Sequence, residues 1–201
     1  MANKIICIGR QYGSGGTDIS KLLSEKLGIP FYDKKLIDMA SERSGIAREV
    51  FEASEEKKTN PWLYVGMRDA NGITKSSLPP TDLVYAHQRE LIIEKANEGP
   101  CIIVGRCSDA ILKLMGFKVL SVFISAPIED RIVRRMKAKG IDEKTAANLC
   151  RKNDRQRKAY YNYNTGLEWG APENYDICIN SSSLGIEGSA DLIMKIYQEM
   201  D

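Results

Sequence analysis

A β-branched run that breaks into a glycine-rich loop and then a helical pattern constrains this chain more than any other feature. Lys4 to Ile8 (KIICI) is too short for a helix and apolar enough for a buried strand. Gly9-Arg10-Gln11-Tyr12-Gly13-Ser14-Gly15-Gly16-Thr17 follows it. Ile19, Leu22, Leu23 and Leu27 then recur at three- and four-residue spacing until Gly28 supplies a stop. A strand that feeds a helix through glycines begins an alternating α/β layout.

The alternation continues along the chain. Pro30-Phe31-Tyr32 reads as a brief strand or its exit, and Asp33 suits the N-cap of a helix carrying Leu36, Ile37 and Met39. A further helix is expected from Ile46 to about Lys57. Residues 58–80 hold Pro61, Gly66, Gly72, Pro79 and Pro80 without periodicity, which predicts a long connection of a functional or disordered kind. A helix from about Thr81 to Asn97 stops at Gly99-Pro100. Cys101–Val104 and Val119–Ile124 are strands, each followed by a helix. The second of these helices opens at Pro127, with Glu129 and Asp130 in its first turn. A long polar helix over about Asp142–Tyr163, a strand over Asp176–Ile179 and a closing helix over Ile186–Met200 complete the pattern. Ser181-Ser182-Ser183 reads as the turn into that last helix.

About five strands separated by helices predict one α/β domain over residues 1–201, with a parallel sheet covered on both faces. Ligands of such sheets bind at the carboxyl ends of the strands, and Gly9-Arg10, Gly105-Arg106 and Ser125 fall there. At 201 residues the chain buries enough surface to need no disulfide or metal staple. Its 29 Lys and Arg against 27 Asp and Glu leave a formal charge of +2, which argues against a nucleic-acid-coating protein. The single histidine, His87, excludes a multi-histidine metal site. The five cysteines are an odd number without a C-x-x-C pair, and four of them lie within or beside apolar runs and read as small buried residues of a reducing compartment. No apolar run approaches the ~18 residues of a membrane span, and the apolar stretch in MANKIICIGR is too short for a signal peptide. The expectation is a soluble cytoplasmic protein with no membrane or nucleic-acid partner.

Four glycines in the eight residues from Gly9 to Gly16 exceed the needs of a plain turn. Backbone N–H groups turned inward, together with a helix N-terminus, form a phosphate cradle. The candidates are Gly9, Arg10, Gly13, Ser14, Gly15, Gly16 and Thr17. Counted forward from Gly9, the pattern G-x-x-x-x-G-K-[ST] puts its second glycine at Ser14 and its lysine at Gly15, so the phosphate-reaching lysine is absent. Arg10 is the candidate replacement, since a guanidinium grips phosphate oxygens in bidentate fashion. Farther on, Arg131, Arg134 and Arg135 share one helical face, and Arg151, Asp154, Arg155 and Lys158 share another with Arg157 nearby. Two arginine clusters beyond a phosphate loop suit anion binding by a closing helix. Tyr160, Tyr161, Tyr163 and Trp169, around Gly166 and Gly170, either stack on a base or pack a hinge.

IGRQYGSGGTDISKLLSEKLGIPFYDKKLI resembles the opening of the cytidylate kinase-like proteins, relatives of bacterial cytidylate kinase among the P-loop nucleoside-monophosphate kinases. The resemblance resumes at IIVGRCSDAIL, SAPIEDRIVRRM and NDRQRKAYYNYNTGLEWGAPENYDICINSS, and leaves out roughly residues 45–80. It implies a three-layer P-loop NTPase fold of the adenylate/cytidylate kinase kind, with an acceptor-binding helical region at 32–98 and a helical lid at 140–170. It implies ATP and Mg²⁺ as cofactors and nucleotides as partners, with phosphoryl transfer to a nucleoside monophosphate and CMP or dCMP as the leading acceptor. Arg10, Arg131, Arg135, Asp154 and Arg157 then become catalytic candidates. Asp33, Arg106, Asp109, Arg151 and Arg155 become substrate contacts. No residue is assigned as a direct ligand of Mg²⁺; Thr17, Asp33 or Asp109 would lie near it through water. The family's Gly-Arg-Asp reads Gly105-Arg106-Cys107-Ser108-Asp109 here, with the aspartate displaced by two residues. Two other readings stay open: a kinase of another small molecule, because the dissimilar 45–80 region falls where the acceptor binds, and a nucleotide-binding sensor without turnover, because the lysine is missing.

Overall fold

The computed structural model describes residues 3–33, 35–49 and 80–200. Five strands, β1 (Lys4–Arg10), β2 (Phe31–Tyr32), β3 (Cys101–Val104), β4 (Lys118–Ser125) and β5 (Ile177–Asn180), form one sheet in the order β2-β3-β1-β4-β5. Every neighbouring pair is parallel. The helices among the described residues are α1 (Gly16–Leu27), α2 (Lys35–Ser44), α3 (Pro80–Glu98), α4 (Ser108–Leu114), α5 (Ile128–Lys139), α6 (Glu143–Thr165) and α7 (Ser181–Glu199). None is long and apolar enough to cross a membrane.

Strand β1 lies at the centre because both of its faces are apolar, as a strand covered by helices on each side requires. Ile5 and Cys7 join the core that takes in Leu36, Ile37, Ile92 and Leu112 of α2, α3 and α4. Ile6 and Ile8 point the other way, into Ile19 and Leu23 of α1 and Ala190 and Ile193 of α7. Each isoleucine so buried contributes about 1.5–3 kcal/mol. The three-layer α/β expectation is thus met. The loops leaving β1 and β3 emerge side by side, which makes the carboxyl end of β1 the crevice of the sheet.

Some expectations change locally. Asp33 does not serve as a helix cap, because its side chain is drawn to Arg10 at the end of β1 and to Arg106 just past β3. Ser181 to Ser183 are not a turn but the first helical residues of α7, which kinks at Gly185 (φ 69°) before continuing. Buried Ser181 donates through Oγ to the carbonyl of Ser14 at 2.6 Å, so this turn of α7 braces the glycine loop. The helix expected over 46–57 and the connection over 58–80 lie outside the described residues, apart from 46–49 and Pro80. Cys7, Cys101, Cys107 and Cys150 are buried as free thiols, and Cys178 is exposed.

Candidate functional site

Helix α1 begins at Gly16, directly after Gly15 in the left-handed region (φ 82°), so the loop proper runs from Arg10 to Gly15. Arg10 ends β1, and its side chain threads between two glycines. A Cβ on Gly16 would lie 2.7 Å from Arg10 Cβ, and a Cβ on Gly105 would lie 2.3 Å from Arg10 Nη1. Arg10 Nη2 then donates to Asp33 Oδ1 at 3.0 Å. Arg106 Nη1 stands 3.5 Å from the same oxygen, and Thr17 Oγ1 donates to Asp33 Oδ2 at 3.4 Å.

This geometry resets the register of the loop. Counted back from Thr17, the position of the P-loop lysine is Gly16, not Gly15. The Arg10 side chain fills the space in which a residue at 16 would start. The missing lysine and the arginine at the end of β1 are therefore one structural feature.

A second knot holds the middle of the loop. The Tyr12 N–H donates to Asp154 Oδ1 at 2.7 Å, and Arg131 Nη1 donates both to Asp154 Oδ2 at 2.5 Å and to the Tyr12 carbonyl at 3.2 Å. Arg131 is 6% exposed. Arg157 Nη1 donates to the Arg10 carbonyl at 2.8 Å, so α6 also grips the loop at its start. Around the Tyr12 ring stand Arg135 at 5.4 Å, Lys139 at 5.8 Å and Arg157 at 5.8 Å from its centroid.

These elements enclose a cavity of about 450 Å³. Arg10, Arg106, Lys139, Lys152 and Arg157 bring positive charge to its wall, against two carboxylates, Asp33 and Asp109. Tyr160, Tyr161, Trp169 and Tyr175 supply an aromatic side. Phe123 supports that side from below, edge-on to Trp169 at 5.2 Å and tilted against Tyr175 at 5.0 Å. The backbone reaches the cavity from β3 through three successive residues with positive φ: Gly105 (78°), Arg106 (56°) and Cys107 (55°). The two non-glycine members store strain of about 1–3 kcal/mol each, a cost found most often where a side chain must be aimed at a site.

Asp109, 8% exposed, accepts from the Tyr161 hydroxyl at 2.8 Å. Burial pushes the Asp109 carboxyl above its usual range and outweighs the Tyr161 hydrogen bond, which acts the other way. A carboxyl with a raised pKa supports the fold while protonated, and that support is lost as pH rises through the folded pKa. Asp109→Asn is therefore expected to raise the melting temperature at pH 7.5, with the gain fading toward pH 4. Melting curves at the two pH values check this, and an equal shift at both would contradict the cause.

The structure brings Gly9, Arg10, Asp33, Arg106, Asp109 and Arg157 of the expected residues together at the cavity. Gly13, Ser14, Gly15, Gly16 and Thr17 form the loop and the first turn beside it. Arg131 and Asp154 are not among the lining residues and are spent on each other and on the Tyr12 peptide. Arg135 stands behind Tyr12. Arg151 and Arg155 are exposed and outside the lining. The inner stripe of α6 is instead Leu149, Lys152, Asn153, Gln156, Arg157, Tyr160 and Tyr161. Sequence reasoning missed Tyr12, Lys139, Lys152, Asn153 and Gln156. The stripe could have been traced back at helical spacing from the aromatic pair Tyr160-Tyr161.

The model of the cytidylate kinase-like family matches residues 5–183. The chain belongs to the cytidylate kinase-like family. Its relatives include the cytidylate kinase of Pyrococcus horikoshii, 26% identical over 200 residues that cover 98% of this chain and 90% of that protein. A uronate isomerase of Corynebacterium glutamicum is 29% identical over 147 residues, or 69% of this chain, and the match spans only 27% of that enzyme's length. Among solved structures, an uncharacterised protein from Eubacterium ventriosum superposes with a TM-score of 0.73 at 30% identity, covering 98% of this chain and 99% of that one. A shikimate kinase from Bacteroides thetaiotaomicron shares the fold, with a TM-score of 0.56 at 16% identity and coverage of 98% and 99%. Family and fold are those of nucleotide and small-molecule kinases, and this cytidylate kinase-like chain carries them with a loop whose lysine position is glycine.

Proposed function

We propose that this chain transfers a phosphoryl group from ATP, with Mg²⁺, to a nucleoside monophosphate, CMP or dCMP foremost. The observation that carries the proposal is the arginine threaded over Gly16, which sets a cation beside the helix N-terminus where the lysine of the standard P-loop pattern is absent. The cytidylate kinase of Pyrococcus horikoshii, at 26% identity over nearly the whole chain, supports the acceptor.

The residues present fit both groups. The glycine loop and the N-terminus of α1 offer backbone N–H groups and a positive dipole end to the triphosphate. Thr17 Oγ1 and the Asp33 carboxylate are a pair of hard oxygen donors 3.4 Å apart, and they would hold Mg²⁺ directly or through its waters. When bound, the metal would supply neutralisation of the charge that develops on the phosphates. Arg10, Arg106 and Arg157 orient the phosphates and offset the charge that spreads over the transferring group. Helix α6, which lines the cavity, would exclude water that otherwise takes the phosphoryl group.

A kinase of another small acceptor is the second reading, favoured by Asp109. Its carboxylate sits two residues beyond the family position and is already engaged by Tyr161. The test is ADP release from Mg-ATP against a panel of nucleoside monophosphates, with Arg10→Ala and Arg157→Ala as controls. Turnover selective for CMP or dCMP and lost in both variants is expected. Turnover only with other acceptors would move the protein to the second reading, and ATP binding without any turnover would make it a sensor.

A further inference from the structure

Tyr12 is the one side chain of the glycine loop that reaches into the cavity and carries an aromatic face. Its position is set at the backbone, since its N–H donates to Asp154 and its carbonyl accepts from Arg131. Three cations from two different helices approach its ring: Arg135 and Lys139 from α5, and Arg157 from α6. Like charges brought this close repel one another, and each needs a stabilising partner in the folded protein. The negative face of an aromatic ring is such a partner.

The difference between a ring and a carboxylate matters here. A carboxylate would gather the same cations but cancel part of their charge and compete with an incoming phosphate. A tyrosine ring attracts them through its quadrupole and leaves the net charge in place. Tyr12, Lys139 and Arg157 all line the cavity, and neither α5 nor α6 contributes a carboxylate to its described lining. The aliphatic stem of Arg135 packs against Gly13, where an added Cβ would lie 3.3 Å from Arg135 Cγ, so this cation is fixed to the loop as well as to the ring.

We propose that the Tyr12 ring is a platform that holds Lys139 and Arg157 at the cavity wall, with Arg135 behind it tying the ring to the loop, which makes Tyr12 a positioning residue for a polyphosphate bound over the glycine loop. The inference rests on the phosphate-binding reading above and adds to it the device that assembles the cations without neutralising them. It also accounts for a tyrosine in a loop otherwise made of small and polar residues.

The test is equilibrium binding of ATP and of inorganic tripolyphosphate to the full chain, in the wild type, Tyr12→Phe, Tyr12→Leu, Arg157→Gln and the Tyr12→Leu/Arg157→Gln double variant. Tyr12→Phe keeps the ring and should bind within about twofold of wild type, whereas Tyr12→Leu should bind about tenfold more weakly. The penalty of Tyr12→Leu should shrink in the Arg157→Gln background, because part of what the ring holds is then gone; a packing role alone would leave it unchanged. If Tyr12→Leu fails to fold, pentafluorophenylalanine at position 12 replaces it, since it keeps the shape and reverses the ring's polarity. Wild-type affinity in the ring-disabled variant, or an undiminished penalty in the double variant, overturns the platform. A wild type that binds neither ATP nor tripolyphosphate overturns the phosphate reading itself.

Discussion

Arg10→Ala is expected to lower phosphoryl transfer by about 10²–10³-fold, the loss typical when one preorganised donor to developing charge is removed. The reason is positional. Arg10 extends from the end of β1 over Gly16 and arrives beside Thr17 and Asp33, where the proposed function puts the transferring phosphate. The sharper experiment moves the cation. Gly16→Lys alone places a Cβ 2.7 Å from Arg10 Cβ, near the backbone, where neither can yield easily, and should destabilise the chain by about 1–3 kcal/mol. Arg10→Gly/Gly16→Lys removes that clash, because the Cβ at position 10 goes with the side chain, and restores the standard loop lysine. It should recover at least tenfold of the activity lost in Arg10→Ala. Steady-state rates with Mg-ATP measure all three variants beside thermal melts. A folded double variant no more active than Arg10→Ala would show that Arg10 does not stand in for the lysine.

That exchange could be only half seen in the sequence. A glycine loop without lysine and an arginine nearby were legible, because strand, glycines and helix follow one another over a few residues. The register was not. Counting forward from Gly9 put the lysine position at Gly15, while the loop geometry, counted back from Thr17, puts it at Gly16. The parallel sheet was legible because KIICI, CIIV and VLSVFI are apolar on both faces. Its order was not, since equally apolar parallel strands carry no mark of which lies beside which.

Helix α6 shows the same limit. A polar helix with charge on every side has no apolar stripe to say which face turns inward. The outer stripe of Arg151 and Arg155 therefore reads as strongly as the inner one of Lys152, Asn153, Gln156 and Arg157. Asp33 could cap a helix or receive arginines, and short-range pattern favours the cap. Only the approach of β1 and β3, far apart in sequence, brings Arg10 and Arg106 to it.

The largest effect on stability should come from the Arg131–Asp154 knot, where resemblance placed two catalytic residues and the side chains instead turn onto each other and onto the Tyr12 peptide. Arg131 keeps 8% and Asp154 19% of its side-chain exposure, so solvent does little to compensate a lost partner. Asp154→Ala strands a buried guanidinium and the Tyr12 N–H, at a cost near the lower end of the ~3–5 kcal/mol of a broken buried pair. For a chain of this length that lowers the melting temperature by about 6–12 °C. Arg131→Met/Asp154→Leu removes both charges and should recover much of the loss, because a packed apolar pair often matches a buried ion pair. Full recovery is not expected, since the Tyr12 N–H and carbonyl still lack their partners. The fold would then survive with a loosened glycine loop, and ATP affinity should stay low where the melting temperature has returned. Thermal melts over the full double-mutant cycle, with ATP binding on the same samples, separate the two effects. Losses that add within about 0.5 kcal/mol would mean the two side chains act independently. A double variant that regains both stability and ATP affinity would mean the knot holds up the fold but does not shape the loop.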